Sequence, residues 1–117
     1  MEKTKNLELQ ELIKELKTAS IQNEAKIWKR IATDLEKSTR SRREVNVFKL
    51  AQTTKENDVV VVPGKVLGTG DINHKLTVAA HSFSKQALDK INKNGKAITL
   101  KDLVKENPKG KKIKIIG

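Results

Sequence analysis

The sequence predicts an α/β fold, in which an N-terminal helical hairpin precedes a compact core of irregular strand-strand-helix turns. Two observations support this prediction. Apolar residues in the first third of the chain recur at helical spacing, whereas Val59 to Val62 form an unbroken β-branched run, typical of a buried strand. The length of 117 residues fits a single domain over 1–117. We divide it into a hairpin (1–37), a basic connector (38–46) and an α/β core (47–117).

The first helix is predicted from apolar side chains on one face. Leu9, Leu12, Ile13 and Leu16 follow i, i+3, i+4, i+7 spacing, which indicates an amphipathic helix over about residues 6–19. Asn6 is suited to cap its N-terminus.

The second helix has an apolar stripe that includes Trp28 and runs to about Lys37, with Asn23 as the expected N-cap. The short link between the helices favours an antiparallel pair. Trp28 is expected in the core, because Ile31 and Ala32 follow it at i+3 and i+4. The alternative is an exposed platform on which a nucleic-acid base stacks.

The basic connector contains three of the four arginines of the chain, Arg40, Arg42 and Arg43, and residues 38–43 include no apolar side chain. Arginine binds phosphate oxygens with two donors and stacks on bases, which lysine does not do. The pattern favours oriented contacts with a polyanion. The alternative is a flexible basic linker.

The α/β core is predicted from alternating short patterns. The valine strand is expected to stop at Pro63-Gly64, and a Gly-rich loop follows. Ser84 and Thr99 are suited to cap two short helices, of which the first ends at Asn94-Gly95. The remaining expected elements are a strand at Leu76–Ala80, a short strand at Ala97-Ile98, a turn at Asn107–Gly110 and a strand from Lys111 to Ile116.

The chain is strongly basic, with a net charge of +11 and a pI near 10.0. Residues 1–37 contribute +1 and residues 57–81 contribute nothing, whereas residues 38–56 contribute +3 and residues 82–117 contribute +7. Such an excess attracts phosphates at long range and gains affinity by counterion release. It lies outside the best amphipathic helices, which argues against a membrane partner. The alternative is solubilising surface charge.

Several function classes find no support. The chain has no cysteine, which removes disulfides and thiolate chemistry, and no apolar run is long enough for a transmembrane helix. Its first residues lead into an amphipathic segment, not a signal-peptide core. Gly68 and Gly70 match neither the P-loop nor the dinucleotide fingerprint. His74 and His81 have no ligand partners at metal spacing. We expect no cofactor, no small-molecule substrate and no catalysis.

The aromatic residues narrow the binding mode. Trp28, Phe48 and Phe83 are the only three, too few for the clustered platform with which many modules bind single-stranded RNA. The sequence therefore indicates binding to the backbone and shape of a folded RNA.

Five motifs in order resemble a known family. The chain resembles archaeal large-subunit ribosomal protein eighteen-e, whose superfamily includes bacterial large-subunit protein fifteen. The match covers essentially the full length. Residues 38–41 depart from it, since they are rich in Ser and Thr where the family is more basic. The motifs are Ile27-Trp28-Lys29, Arg42 to Val47, Val60 to Gly70, Ala79 to Ser84 and Asn107 to Gly110.

The resemblance implies a cytoplasmic protein of the ribosome, with large-subunit rRNA and neighbouring large-subunit proteins as partners. Free-standing RNA-binding or chromatin proteins, and RNA-processing enzymes, are the alternatives. By motif, the RNA-facing candidates are Arg40, Arg42, Arg43, Asn46, Pro63, Gly64 and Lys65. Composition adds Lys85, Lys109, Lys111 and Lys112.

Overall fold

The chain folds around one parallel β-sheet with helices on both faces. A computed structural model describes residues 2–36 and 43–116, and only the backbone of residues 2–8 and Arg43. The elements in chain order are α1 (Glu2–Asn23), α2 (Lys26–Glu36), β1 (Arg43–Asn46), α3 (Val47–Thr53), β2 (Asp58–Leu67), β3 (Leu76–Phe83), α4 (Lys85–Asn94), β4 (Lys96–Thr99), α5 (Leu100–Glu106) and β5 (Ile113–Ile115).

The strand β2 organises the sheet. Strands β1, β2, β3 and β4 lie side by side in that order, and β5 also pairs with β2; every pairing is parallel. One edge of β2 pairs with β3. The other edge is shared end to end, by β5 along Val59–Val61 and by β1 along Gly64–Leu67.

The predicted stop at Pro63-Gly64 is wrong, because β2 continues to Leu67. Proline has no N–H to donate and normally interrupts a central strand. Here its position lies between the residues paired with β5 and those paired with β1, and the register with β3 shifts between Val62 and Lys65. A β-bulge thus accommodates the proline where no ladder bond from its nitrogen is needed.

Successive valines of β2 face opposite sides of the sheet. Val60 and Val62 pack with Leu50 of α3 and Ile91 of α4. Val61 packs on the other side with α1, α2 and α5, among the side chains of Leu16, Trp28 and Leu103. Burial on both faces explains why the strand is an unbroken apolar run.

The helical hairpin is confirmed with different boundaries. The helix α1 runs from Glu2 to Asn23, so Asn6 lies within it and is not its N-cap. Asn23 ends α1 and does not cap α2, since its amide nitrogen donates to the Ala19 carbonyl at 3.0 Å. The chain reverses at Glu24, whose φ is 52°. The predicted end at Lys37 lies outside the described residues.

The caps in the second half of the core are confirmed. The Ser84 hydroxyl accepts from the Ala87 N–H at 3.2 Å, and the Thr99 hydroxyl accepts from the Asp102 N–H at 3.1 Å. The helix α4 ends at Asn94, as predicted. Thr53, expected in a turn, is the last residue of α3. The predicted strand from Lys111 is shorter and begins at Ile113.

Candidate nucleic-acid interface

The predicted RNA-facing residues divide between the two ends of the parallel sheet. Arg40 and Arg42 lie outside the described residues, and for Arg43 the backbone alone is described. Asn46, Lys65 and Lys85 lie around the carboxyl ends of β1, β2 and β3. Lys109, Lys111 and Lys112 precede β5, at the amino end of the sheet.

Parallel pairing of β1 with β2 brings the connector beside the Pro63–Lys65 segment. The Cα partners are Arg43 with Gly64 and Asn46 with Leu67. Lys65 is further paired with Ser82 on β3. Two stretches some twenty residues apart in sequence therefore meet at the carboxyl end of the sheet, as their shared nomination would require.

Pro63 and Gly64 are buried in the chain's own fold, whereas Lys65 is exposed. Lys65 is thus the member of this segment whose side chain reaches solvent. Lys85 is exposed at the start of α4, and Lys49 is exposed on α3, immediately after Asn46, Val47 and Phe48. We call Asn46, Lys49, Lys65 and Lys85 the carboxyl-end surface.

The loop of residues 107–112 is fixed to the hairpin at two points. The Trp28 indole nitrogen donates to the Pro108 carbonyl at 2.7 Å. Gly110 has a φ of 65° and lies so close to Ile27 that a Cβ would collide with its side chain. The prediction that Trp28 is a core residue is confirmed, because its side chain is fully buried. The buried indole holds a surface loop in place.

Within this loop, the Asn107 side chain brackets Lys111. Its amide nitrogen donates to the Lys111 carbonyl at 2.8 Å, and its amide oxygen accepts from the Lys111 N–H at 3.3 Å. Lys109, Lys111 and Lys112 are exposed on this fixed backbone. Lys112 has a φ of 58°, a left-handed conformation that L side chains rarely adopt.

Sequence reasoning missed the basic start of α2. Lys26, Lys29 and Arg30 are exposed on this helix, and its residues Ile27 and Trp28 contact the 107–112 loop. The net charge of +1 over residues 1–37 concealed them, because it averages α2 with the carboxylates of α1. The helical positions of the charges in α2 were the available signal. The amino-end surface consists of Lys26, Lys29, Arg30, Lys109, Lys111 and Lys112.

The two surfaces are separated by the length of β2. Nine residue steps separate Asp58 from Leu67, and a strand rises about 3.3 Å per residue, so the surfaces lie about 30 Å apart. This nearly spans the longest dimension of the molecule, which is 35 Å.

Other lysines are occupied within the fold. Among the described residues, ion pairs join Lys17 to Glu36 at 3.2 Å, Lys96 to Glu106 at 3.0 Å and Lys114 to Asp58 at 2.9 Å. The lysines of the two surfaces form no such pair within that part of the chain. They are available for an external anion.

Asp58 has the one resolved electrostatic shift among the described residues. Its carboxylate accepts from the Lys55 N–H at 2.8 Å and from the Lys114 ammonium at 2.9 Å. The backbone hydrogen bond from Lys55, followed by that from Lys114, lowers the pKa of the Asp58 carboxyl below 3.8. This tie joins the start of β2 to β5, and thus secures the end of the 107–112 loop.

Neither histidine forms part of a metal site in the described ranges, where no group of three suitable side chains is close enough to hold an ion. His74 Nε2 lies 2.7 Å from the Thr54 hydroxyl, which is also 2.7 Å from the Leu50 carbonyl. Because the single hydroxyl proton goes to that carbonyl, His74 donates through Nε2. The contact closes the end of α3.

His81 and Ser82 line an open groove of about 650 Å³ between α1 and the carboxyl ends of β3 and β4. Apolar side chains, including Leu9 and Leu12, form its opposite wall. No helix in the described part of the chain has the length and apolar character needed to cross a membrane.

The sequence matches, over residues 7–99, a family model described as ribosomal proteins 50S-L15 and 50S-L18e with their 60S counterpart. It is 47% identical to large ribosomal subunit protein eL18 of Methanococcus maripaludis, over 91% of this chain and 89% of that protein. The eL18 of Methanothermobacter thermautotrophicus is 46% identical, over 95% of this chain and 93% of the relative. The eL18 of Archaeoglobus fulgidus is 45% identical, over 95% and 96%. Together with the parallel sheet and the paired motifs at its carboxyl end, these matches establish that the chain belongs to the family of ribosomal proteins 50S-L15 and 50S-L18e.

Proposed function

We propose that this chain is a non-catalytic structural constituent of the large ribosomal subunit, located in the cytoplasm. It binds folded large-subunit rRNA through backbone and shape contacts and lies against neighbouring large-subunit proteins. The supporting observation is the placement of two exposed basic surfaces about 30 Å apart at opposite ends of one sheet. One rigid unit can thereby hold two RNA segments that would otherwise repel each other.

The chemistry of each surface suits phosphate groups. Lysine ammonium groups supply attraction that is independent of base sequence, and binding releases counterions from the RNA. Lys111 and Lys112 are carried by a loop that Trp28 and Asn107 already fix, so little conformational entropy is lost when it binds. Arg40, Arg42 and Arg43 would orient the protein through two-donor contacts with phosphate.

The salt dependence of binding tests this mechanism. If the surfaces neutralise about six to ten phosphates, affinity for protein-free large-subunit rRNA falls about 10³- to 10⁵-fold between about 50 and 200 mM salt. Filter binding at a series of salt concentrations measures the slope. A flat response would exclude the mechanism.

Substitution of the connector separates binding from folding. We expect Arg40, Arg42 and Arg43 changed together to Ala to weaken incorporation into the large subunit, with thermal unfolding nearly unchanged. Val61→Asp is the opposite control, because it buries an unpaired charge in the sheet and should abolish folding. If the triple variant unfolds instead, the arginines are structural and the assignment is wrong.

Fractionation distinguishes the other candidate functions. A ribosomal constituent sediments with the large subunit through a moderate salt wash, at about one copy per particle. A free-standing RNA-binding or chromatin protein would wash off or sediment elsewhere. Turnover of an RNA substrate, abolished by one point change, would identify a processing enzyme.

A further inference from the structure

We propose that the ring of Phe48 is a stacking platform for one unpaired base of the RNA bound at the carboxyl-end surface. This inference rests on the proposed function and adds to it one contact with a nucleobase. It assigns the exposed ring a role that phosphate binding by lysines cannot explain.

Phe48 is the most exposed of the three aromatic residues. Its side chain is 55% exposed, whereas Trp28 is fully buried and Phe83 packs partly against the core. Isolated exposed apolar side chains are common, and Ile21 is 79% exposed without any evident role. Exposure alone therefore decides nothing, and the surroundings of Phe48 carry the argument.

The backbone of Phe48 is held unusually firmly for an exposed residue. Its N–H donates to the Thr69 carbonyl at 2.9 Å. Gly70, with a φ of 102°, lies so close that a Cβ there would be 2.5 Å from the Phe48 Cβ and 2.7 Å from its Cα. The fold thus fixes the base of the side chain and leaves the ring in solvent.

The supporting loop is itself clamped. The Lys90 ammonium donates to the Gly68 carbonyl at 2.7 Å and to the Gly70 carbonyl at 2.6 Å. A lysine is thereby withdrawn from the surface to fix the loop against which Phe48 rests. A platform whose position is set before binding loses less entropy when its ligand arrives.

The polar neighbours of the ring favour a nucleobase over a protein partner. Phe48 lies between Asn46 and Lys49 in sequence, and Lys65 and Lys85 lie at the same end of the sheet. Cations that bind phosphates beside one aromatic face are the arrangement used for single-stranded nucleic acid. A protein interface would need a wider apolar patch, yet Lys49 and Gln52 of the same helix are exposed.

Leu88 supplies a matched control. Its side chain is 36% exposed on α4. It lies on the flank that also carries Asn92, whose amide oxygen accepts from the Ala97 N–H of β4 at 3.0 Å. Lys90, which reaches the loop beneath Phe48, lies on the opposite flank. Leu88 is therefore an exposed apolar residue away from the proposed platform.

The test measures affinity for protein-free large-subunit rRNA at several salt concentrations. We expect Phe48→Ala to weaken binding about five- to hundredfold, the range for losing one stacked base. Phe48→Leu, which stays apolar, should also weaken binding, and Phe48→Trp should retain it. The slope of log affinity against log salt should not change in any of these variants, since no phosphate contact is lost. Leu88→Ala should bind like the wild type.

Chemical probing of the bases completes the test. One unpaired base should be protected by the wild type and by Phe48→Trp, and become reactive with Phe48→Leu. Wild-type affinity in Phe48→Leu, or weaker binding without any newly reactive base, would overturn the stacking proposal while leaving the proposed function intact. If the wild type itself does not bind the rRNA, the proposed function fails first.

Discussion

At the scale of single residues, Trp28 and Phe48 show how helix position decides the role of an aromatic side chain. Trp28 lies on the apolar stripe of α2, and its indole fixes the 107–112 loop through the Pro108 carbonyl. Phe48 follows the buried Val47 directly, and in a helix neighbouring residues point about 100° apart. Its ring therefore leaves the core while its backbone stays fixed against Gly70.

Gly70→Ala tests that fixed backbone. We expect the free energy of unfolding to fall by about 2 kcal/mol, because an L side chain at positive φ costs roughly 1–2 kcal/mol and the new Cβ would press on Phe48. Urea unfolding measures the change. Thr69→Ala, at the exposed neighbouring position, should be nearly neutral because the Thr69 carbonyl is retained. Equal stability of the two variants would show that the close approach is not required.

At the scale of elements, β2 brings together segments that are distant in sequence. Its second half pairs with β1, its first half pairs with β5, and the bulge at Pro63-Gly64 lies at the change of partner. Asp58 secures the first of these junctions by accepting from both the Lys55 N–H and Lys114. A single carboxylate thus joins the turn before β2 to β5.

Asp58→Asn tests this junction through its pH dependence. The folded-state pKa of Asp58 lies below its unfolded value. Its charge therefore stabilises the fold above that unfolded value, and the contribution is lost as the pH falls through the folded pKa. We expect the variant to be less stable than the wild type at pH 7, and the difference to shrink below about pH 4.

The measurement is urea unfolding of both proteins at pH 7, 5, 4 and 3. Lys114→Met serves as the matched control, because it removes one donor and keeps the larger contribution from the Lys55 N–H. Its pH dependence should be reduced but present. A constant difference between Asp58→Asn and the wild type at every pH would contradict the assignment.

At the scale of the whole molecule, the charge of +11 is divided between two ends of a rigid sheet. The lysines of the carboxyl-end and amino-end surfaces remain available, while others are used internally by Glu36, Asp58 and Glu106. The proposed role follows from this separation, because two surfaces about 30 Å apart can contact different RNA segments at once.

Charge reversal at each end tests simultaneous binding. Lys65→Glu with Lys85→Glu changes one surface, and Lys111→Glu with Lys112→Glu changes the other. Each pair should reduce the slope of log affinity against log salt by about two, and all four changes by about four, because distant sites act additively.

Filter binding to protein-free rRNA gives these slopes. Lys14→Glu with Lys17→Glu alters the net charge equally on the exposed side of α1, and should change the slope less. If one pair produced the whole effect and the other none, a single surface would bind the RNA.

Much of the fold was predictable because it depends on local patterns. The helical stripe around Trp28, the valine run and the caps at Ser84 and Thr99 each specify their element without distant partners. The bulge was not predictable, since Pro63 is tolerated only because β1 and β5 divide the edge of β2. That arrangement joins segments far apart in sequence.

The candidate site was predictable in composition but not in layout. Asn46 and Lys65 were nominated separately, and only parallel pairing of β1 with β2 places them at one end. The basic face of α2 was missed because segment averages cancel charges that the helix separates in space. The roles of Arg40 and Arg42 stay predictions, because both lie outside the described residues.

The shared edge of β2 has a consequence for synthesis of the chain. Val59 pairs with Ile113, 54 positions later, so the nascent chain presents a valine-rich strand edge until β5 has been made. Unpaired apolar edges are templates for aggregation, and long-range pairing is slow to form. The interval between translation of β2 and docking of β5 is therefore when the protein most needs protection from its own copies.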